Sequence, residues 1–105
     1  MAIVEVTVIP VGTETTSLSR YVAEMQVILE EAGESIHFQL TPMSTVIEGE
    51  LAVLLDIVRR LHESPFAQGA SRVCTNLKID DRRDRPASME QKMNAVAERL
   101  RELRG

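Results

Sequence analysis

The chain has 105 residues, of which 44% are apolar and 27% charged, and its formal net charge is −4. This length is enough for one domain with its own core, so we expect residues 1–105 to form a single domain of a folded protein. The acidic balance, with no long basic run, argues against a nucleic-acid partner, because phosphate neutralisation supplies most of that affinity. No apolar run approaches the roughly 20 residues of a membrane-spanning helix, and the N-terminus lacks the features of a signal peptide, so we expect a cytoplasmic protein.

Cysteine and histidine are too sparse to indicate a redox or metal site. Cys74 is the only cysteine, which excludes an internal disulfide, and we expect it to be a half-buried strand residue. His37 and His62 lie far apart in the sequence without ligand spacing, so we expect structural or surface histidines. The sequence therefore predicts no metal and no cofactor.

The first half of the chain predicts a strand, a helix and a hairpin. Alternating β-branched residues predict a strand over Ala2–Ile9, with Glu5 and Thr7 facing away from its apolar side. A helix is expected next, with Ser17 as N-cap and Gly33 at its end, and its apolar face is formed by Leu18, Val22, Met25, Leu29 and Ala32. Two short strands then flank the turn at 42–44, and such close strands must be antiparallel.

The second half predicts a helix, a strand and a final helix. The middle helix presents an apolar face and should stop before Pro65; the face is formed by Leu51, Leu54, Leu55, Val58 and Leu61. A fourth strand follows over 71–80. After a charged connection, a third helix should open with a capping box of Ser88 and Gln91.

The element order β, α, β, β, α, β is typical of an α+β, ferredoxin-like fold, with two helices on one side of a four-stranded antiparallel sheet. The other side of the sheet is then uncovered within one chain. It should be mostly polar, and is expected to carry Glu5, Thr7, His37, Gln39, Thr41, Asn76 and Lys78. Such a surface suits a wet interface between two sheets, or a site.

The apolar residues of the third helix step by four, three, four and three, which is the narrow stripe of a helix that packs on one partner; they are Met89, Met93, Val96, Leu100 and Leu103. Since two helices already cover the sheet, we expect this extra C-terminal helix to contact a second subunit. The alternative is packing at the edge of its own domain.

The sequence offers little catalytic chemistry, because it has no nucleophile with an adjacent base and no phosphate-binding loop. Carboxylates occur in pairs, Glu48 with Glu50 and Asp80 with Asp81, but such pairs are common beside turns and helix starts. The mixed charges of "KIDDRRDR", residues 78–85, predict a solvated loop or ion pairs across a subunit interface. The hydroxyl-rich "GTETTSLS", residues 12–19, predicts either N-capping in a loop or a polar ligand at a helix N-terminus.

Three stretches occur in a fixed order along the chain, "VIPVGTETTSLSRYVAE", "TPMSTVIEGE" and "KIDDRRDR", and a helix follows the last. Together they resemble the thiamine-binding protein family, formerly a domain of unknown function and related to the YkoF-type binders of thiamine and hydroxymethylpyrimidine. The resemblance covers essentially the whole chain. It implies a ferredoxin-like subunit, a homodimer or a homotetramer built as a dimer of dimers, and a small-molecule pocket near the subunit interfaces.

The family's turn motif falls on residues 41–49, where Ser44 stands at a position that is often glycine in the family. The resemblance thus implies a ligand site at Thr41, Met43, Ser44, Thr45 and Glu48. An aminopyrimidine could meet the carboxylate and the hydroxyls there, and an acidic site would favour the thiazolium cation. The aromatic residues are few, so a flat ring should lie mostly against aliphatic or methionine side chains such as Met43.

The leading hypothesis from the sequence is therefore a non-enzymatic binder of thiamine or its pyrimidine moiety that acts as a symmetric homo-oligomer. One alternative is a structural or regulatory interaction module without a specific small ligand. Another is an enzyme of thiamine salvage in which Glu48 or Asp80 acts as a base, although no nucleophile or metal set accompanies them.

Overall fold

The fold was analysed in a computed structural model, which describes residues 1–12, 19–84 and 89–105. Four strands are present, β1 (Ala2–Pro10), β2 (Ile36–Leu40), β3 (Thr45–Gly49) and β4 (Val73–Asp81). Three helices are present in the same ranges, α1 (Ser19–Glu31), α2 (Leu51–Ala67) and α3 (Met89–Arg104). The predicted N-cap Ser17, the capping-box Ser88 and most of the hydroxyl-rich stretch lie outside the described residues.

The strands form one antiparallel sheet in the order β2-β3-β1-β4. The central strand β1 pairs with β3 from Ala2↔Gly49 to Val6↔Thr45, and with β4 from Ala2↔Asp81 to Pro10↔Val73. This order and the sequence of elements confirm the predicted ferredoxin-like α+β fold with an additional C-terminal helix.

The core lies between one face of the sheet and helices α1 and α2. Val4 and Ile47 are neighbours in the sheet and fully buried, and Leu54 and Leu61 of α2 cover them. Alternation along the strands places these apolar side chains on one face because successive residues point to opposite sides. Val22 and Leu55, which were expected on the buried helix faces, are instead exposed. Val22 lines a cavity described below, whereas nothing in the structure explains the exposure of Leu55.

The prediction that α2 stops before Pro65 was wrong, because the helix continues to Ala67. Pro65 occupies the last turn, is fully buried, and accepts hydrogen bonds through its carbonyl from the N–H groups of Gln68 (3.1 Å) and Ala70 (3.0 Å). Proline removes one helical hydrogen bond. Here the burial of the proline ring offsets that loss, and the carbonyl of Pro65 has partners, so the helix continues past Pro65.

Helix α3 begins on the open face of the sheet and then leaves it. The backbone N–H of Met89 donates to Glu48 Oε2 on β3 at 2.8 Å, and Lys92 forms an ion pair with Asp80 of β4. None of its 16 residues is buried, and its outer end carries Leu103 at 84% exposure. The radius of gyration is consequently 15.9 Å, against about 13 Å for a compact chain of this size.

Candidate functional site

The turn between β2 and β3 contains three of the five residues expected in the ligand site, Thr41, Met43 and Ser44, and a fourth, Thr45, is the first residue of β3. Thr41 organises this turn, because its Oγ1 accepts from the N–H groups of Met43 (3.2 Å) and Ser44 (2.9 Å) and donates to Ser44 O at 2.9 Å. The Thr41 N–H also donates to Ser44 O at 2.8 Å. The hydroxyl of Thr41 is thus fully occupied within the turn and shapes the site rather than offering free hydrogen bonds.

Ser44 connects the turn to the open face of the sheet. Its hydroxyl donates to Glu5 Oε2 of β1 at 3.1 Å and lies 3.2 Å from Thr41 Oγ1. Among the described residues, positive φ angles occur only at glycines, so serine fits this turn without backbone strain. The serine therefore places a carboxylate, Glu5, one hydrogen bond from the turn, a contact that the sequence did not predict.

Gly49, the last residue of the turn motif, has a packing role. A Cβ atom there would lie 3.1 Å from the carbonyl oxygen of Ser35 and 3.4 Å from the side chain of Ile36. Glycine permits this close approach where β3 pairs with the start of β2. The motif's glycine is accounted for without a ligand.

A cavity of about 320 Å³, here called the turn pocket, opens between this turn, β1 and the two sheet-covering helices. Its lining is largely aliphatic and includes two methionines, Met25 and Met43, together with Val22 of α1 and Leu61 of α2. Thr41, Ser44 and Thr45 also line it. Met43 is 83% exposed at the tip of the turn, so its flexible side chain is free to cover a ligand.

Glu48, the fifth expected site residue, lies elsewhere. Register places Glu48 on the open face, opposite His37 and Ile3, whereas Thr45 shares the covered face with Val6 and Leu40. Glu48 is only 7% exposed and its Oε2 binds the first N–H of α3. The structure thus does not bring Glu48 together with the residues of the turn.

A second cavity of about 310 Å³, the helix-start pocket, surrounds Glu48 and is lined by His37, Gln39, Glu48, Met89, Glu90 and Met93. It holds two carboxylates and lies on the side of the sheet opposite to the covered face. Its central carboxylate already accepts from a helix N-terminus, where a negative charge is stabilising. The arrangement attaches α3 to the sheet.

The charged run at the end of β4 forms ion pairs within the chain. Arg82 binds Asp84 through two nitrogens, at 2.6 and 3.0 Å, and Arg83 binds Asp81 at 2.8 Å. The hydrogen bond from Arg83 lowers the pKa of the Asp81 carboxyl below its usual value, and the same bond raises the pKa of Arg83. The side chains of Arg82, Arg83 and Asp84 are solvent-exposed and that of Asp81 is partly buried, which agrees with the first of the two predictions, a solvated segment.

The remaining reactive side chains do not cluster. Cys74, predicted to be half-buried, is exposed, because it lies on the open face of β4 at a point that no element of the described residues covers. His62 Nδ1 and Thr75 Oγ1 share a hydrogen bond of 2.7 Å, and the imidazole ring makes an edge contact with Phe66, which is a structural role. Within residues 1–12, 19–84 and 89–105, no three His, Cys, Asp or Glu side chains are grouped so that they could bind a metal ion.

Of the helices in the described ranges, none is both long and apolar enough to cross a bilayer.

Comparison with known proteins gives consistent matches along nearly the whole chain. The family model described as "Thiamine-binding protein" matches residues 4–97. A UPF0045 protein of Staphylococcus xylosus is 54% identical over 95% of each chain, and the UPF0045 protein YqgV of Bacillus subtilis is 52% identical over 95% of this chain and 98% of its own length.

Solved structures match as well. A hypothetical protein of Methanocaldococcus jannaschii superposes with a TM-score of 0.80 at 31% identity, over 92% of this chain and 96% of that one. A Thermotoga maritima protein provisionally assigned to thiamine biosynthesis or salvage has a TM-score of 0.74 at 23% identity, over 90% and 97% of the two chains. The second likeness concerns the fold alone.

Proposed function

The chain belongs to the thiamine-binding protein family, and on this basis we propose that it binds thiamine, or the hydroxymethylpyrimidine part of thiamine, without catalysing a reaction. The observation that carries the proposal is the turn pocket. Its volume of about 320 Å³ lies at the lower end of small-molecule sites, and four of the five residues implied by the family resemblance line it.

The lining of the turn pocket supports a flat, weakly polar ring as ligand. Val22, Met25, Leu40 and Leu61 supply apolar walls, and methionine sulfur makes favourable contacts with aromatic rings. An aromatic side chain is absent from the described lining, so the ring would be held by aliphatic and methionine contacts. This agrees with the arrangement expected from the sequence.

The charge near the pocket supports a cationic group beside that ring. Glu5 lies on the open face and does not line the turn pocket, but it accepts from Ser44 of the lining, so its charge lies one hydrogen bond from the pocket wall, where it could attract a thiazolium cation that extends beyond the pocket. In this proposal Glu5 takes the electrostatic role that the sequence assigned to Glu48. Both candidate bases have a structural partner, since Glu48 accepts from the Met89 N–H and Asp80 pairs with Lys92, and these contacts account for the two carboxylates without a catalytic role.

Calorimetric titration with thiamine and with hydroxymethylpyrimidine tests the proposal, together with one substitution in the pocket. Val22 and Val27 lie on the same helix and are each 47% exposed, but only Val22 lines the pocket. Val22→Trp should fill the site and weaken binding about tenfold or more, since a bulky side chain would occupy the ligand's volume. Val27→Trp is the matched control and should bind normally. Absence of heat from the unmodified protein at millimolar ligand would refute the proposal.

We also propose that the protein works as a symmetric homo-oligomer. Helix α3 exposes an apolar stripe of Met93, Val96, Leu100 and Leu103. The open face of the sheet is a second exposed surface. Two self-contacting surfaces are what a dimer of dimers requires. Light scattering should therefore give a mass above that of a monomer.

Leu103→Lys should reduce that mass, because it puts a charge into the stripe. Glu98→Lys lies on the opposite side of α3 and is the matched control. A monomer at micromolar concentration would contradict the oligomer. An oligomer that gives no heat with any thiamine-related compound would instead favour the alternative, an interaction module without a specific small ligand.

A further inference from the structure

The turn pocket is lined by four consecutive residues of β1, from Val6 to Ile9. Successive side chains of a strand point to opposite faces of the sheet, so four neighbours cannot all line one cavity through their side chains. They can do so only if the cavity lies along the edge of the strand. The backbone of β1 therefore forms part of the pocket wall.

The strand register explains why this edge is open. Strand β3 pairs with β1 only as far as Val6↔Thr45, whereas β4 continues on the other side to Pro10↔Val73. The hairpin turn at Thr41–Ser44 comes directly before β3, so the chain turns away from β1 before it can pair with residues beyond Val6. Beyond Val6, the side of β1 that faces the hairpin has no strand neighbour in the described part of the chain.

The direction of the backbone groups on this edge follows from one hydrogen bond. The N–H of Val11 donates to Arg72 O at 2.8 Å, in register with the β1–β4 ladder. In an antiparallel strand the N–H and C=O of one residue point to the same side, and the side alternates along the chain. The odd-numbered residues of β1, including Thr7 and Ile9, thus face β4, and Val8 faces the turn pocket.

The turn does not need the polar groups of Val8. The carbonyl of Ser44 already accepts from the N–H and from the hydroxyl of Thr41, and the N–H groups of Met43 and Ser44 donate to Thr41 Oγ1. The N–H groups of Thr41, Met43 and Ser44 are thus satisfied within the turn, and no backbone hydrogen bond joins the turn to Val8 among the described residues. Val8 presents one donor and one acceptor, side by side, in a mostly apolar cavity.

We infer that the backbone N–H and C=O of Val8 bind the ligand by its ring edge. This inference rests on the proposed function and assigns the atoms that recognise the ligand. The matching chemical class is a nitrogen heterocycle with an amino group next to a ring nitrogen: the ring nitrogen accepts from Val8 N–H, and the amino group donates to Val8 C=O. The aminopyrimidine of thiamine has this pattern. Recognition by backbone also explains why the pocket has few free polar side chains.

Residue-resolved amide exchange, followed by NMR, tests the assignment on the unmodified protein. Without ligand, Val8 N–H should exchange about tenfold or more faster than the N–H groups of Thr7 and Ile9, which are paired with β4. Saturating thiamine should shift the Val8 amide proton downfield and slow its exchange about tenfold, the equivalent of one hydrogen bond. Thr7 and Ile9 are internal controls and should keep their rates.

A thiamine analogue with oxygen in place of the amino group provides the second arm. Its ring edge presents an acceptor where the C=O of Val8 needs a donor, so it should bind about tenfold more weakly in calorimetry. Thiamine heat without any change at Val8, or slow exchange at Val8 before ligand is added, overturns the inference and leaves the proposed function standing. Absence of thiamine heat overturns the proposed function itself.

Discussion

Replacing Glu48 by glutamine should weaken the attachment of α3 to the sheet. The carboxylate is 7% exposed and its Oε2 lies 2.8 Å from the N–H of Met89, the first residue of the helix. A charge-assisted hydrogen bond at a helix N-terminus contributes about 1 to 2 kcal/mol. Glutamine keeps an accepting oxygen but loses the charge, so we expect a loss of about 1 kcal/mol. Alanine loses both, and should cost about 2 kcal/mol.

The loss should be local, because no residue of α3 is buried, and its hydrogen bond and its ion pair to the sheet both come from its first turn. Amide exchange of residues 89–104 is therefore the suitable assay. A change of about 1 kcal/mol should speed exchange there about fivefold, with little change in the strands. Glu90→Gln is the matched control, since it removes a carboxylate from the same helix start and the same pocket but leaves the Glu48 bond intact. Equal exchange in the two variants would refute the reasoning.

Substitutions at three further positions test the packing, the turn and the charged segment. Ile47→Ala should destabilise the fold by about 2 to 5 kcal/mol in urea unfolding, since Ile47 is fully buried, and Ile47→Val by only about 1 kcal/mol. Thr41→Val removes the hydroxyl at the centre of the turn and should cost about 1 to 2 kcal/mol, while Thr41→Ser should be nearly neutral. Asp81 has a lowered pKa because of its bond to Arg83, so its contribution to stability is present above the carboxyl's ordinary pKa and is lost as the pH falls through the lowered value. Arg83→Gln should return that pKa to its ordinary range in an NMR titration; an unchanged titration of Asp81 would contradict this assignment.

The fold could be predicted because its signals are local and repeat along the chain. Alternation placed Val4 and Val6 on the covered face and Glu5 on the open one, as the register confirms. Pro65 misled the prediction of α2 because the rule for proline considers the lost hydrogen bond and not the burial of the ring. Whether burial compensates depends on residues distant in sequence, which the local pattern cannot show.

The candidate site was harder to predict because it depends on strand register. "TPMSTVIEGE" places Thr45 and Glu48 three residues apart, an odd separation, and an odd separation in a strand sends side chains to opposite faces. That signal was present in the sequence and would have separated Glu48 from Thr45. Two other features of the site depend on how β1 lies beside a hairpin more than 30 residues away in the sequence. They are the bond from Ser44 to Glu5 and the open edge at Val8, and neither can be predicted without the order of the strands.

The sheet separates the two cavities, so ligand binding and assembly should depend on different residues. The turn pocket belongs to the covered side and the edge of β1, and the helix-start pocket belongs to the open side. Because the two share no lining residue, disturbing one should leave the other intact. Glu48→Gln should therefore loosen α3 and lower the oligomer mass while retaining the thiamine affinity, and Val22→Trp should weaken thiamine binding while keeping the mass. If either variant lost both properties, the ligand site would include a surface of the partner subunit, and the turn pocket of one chain would be only part of it.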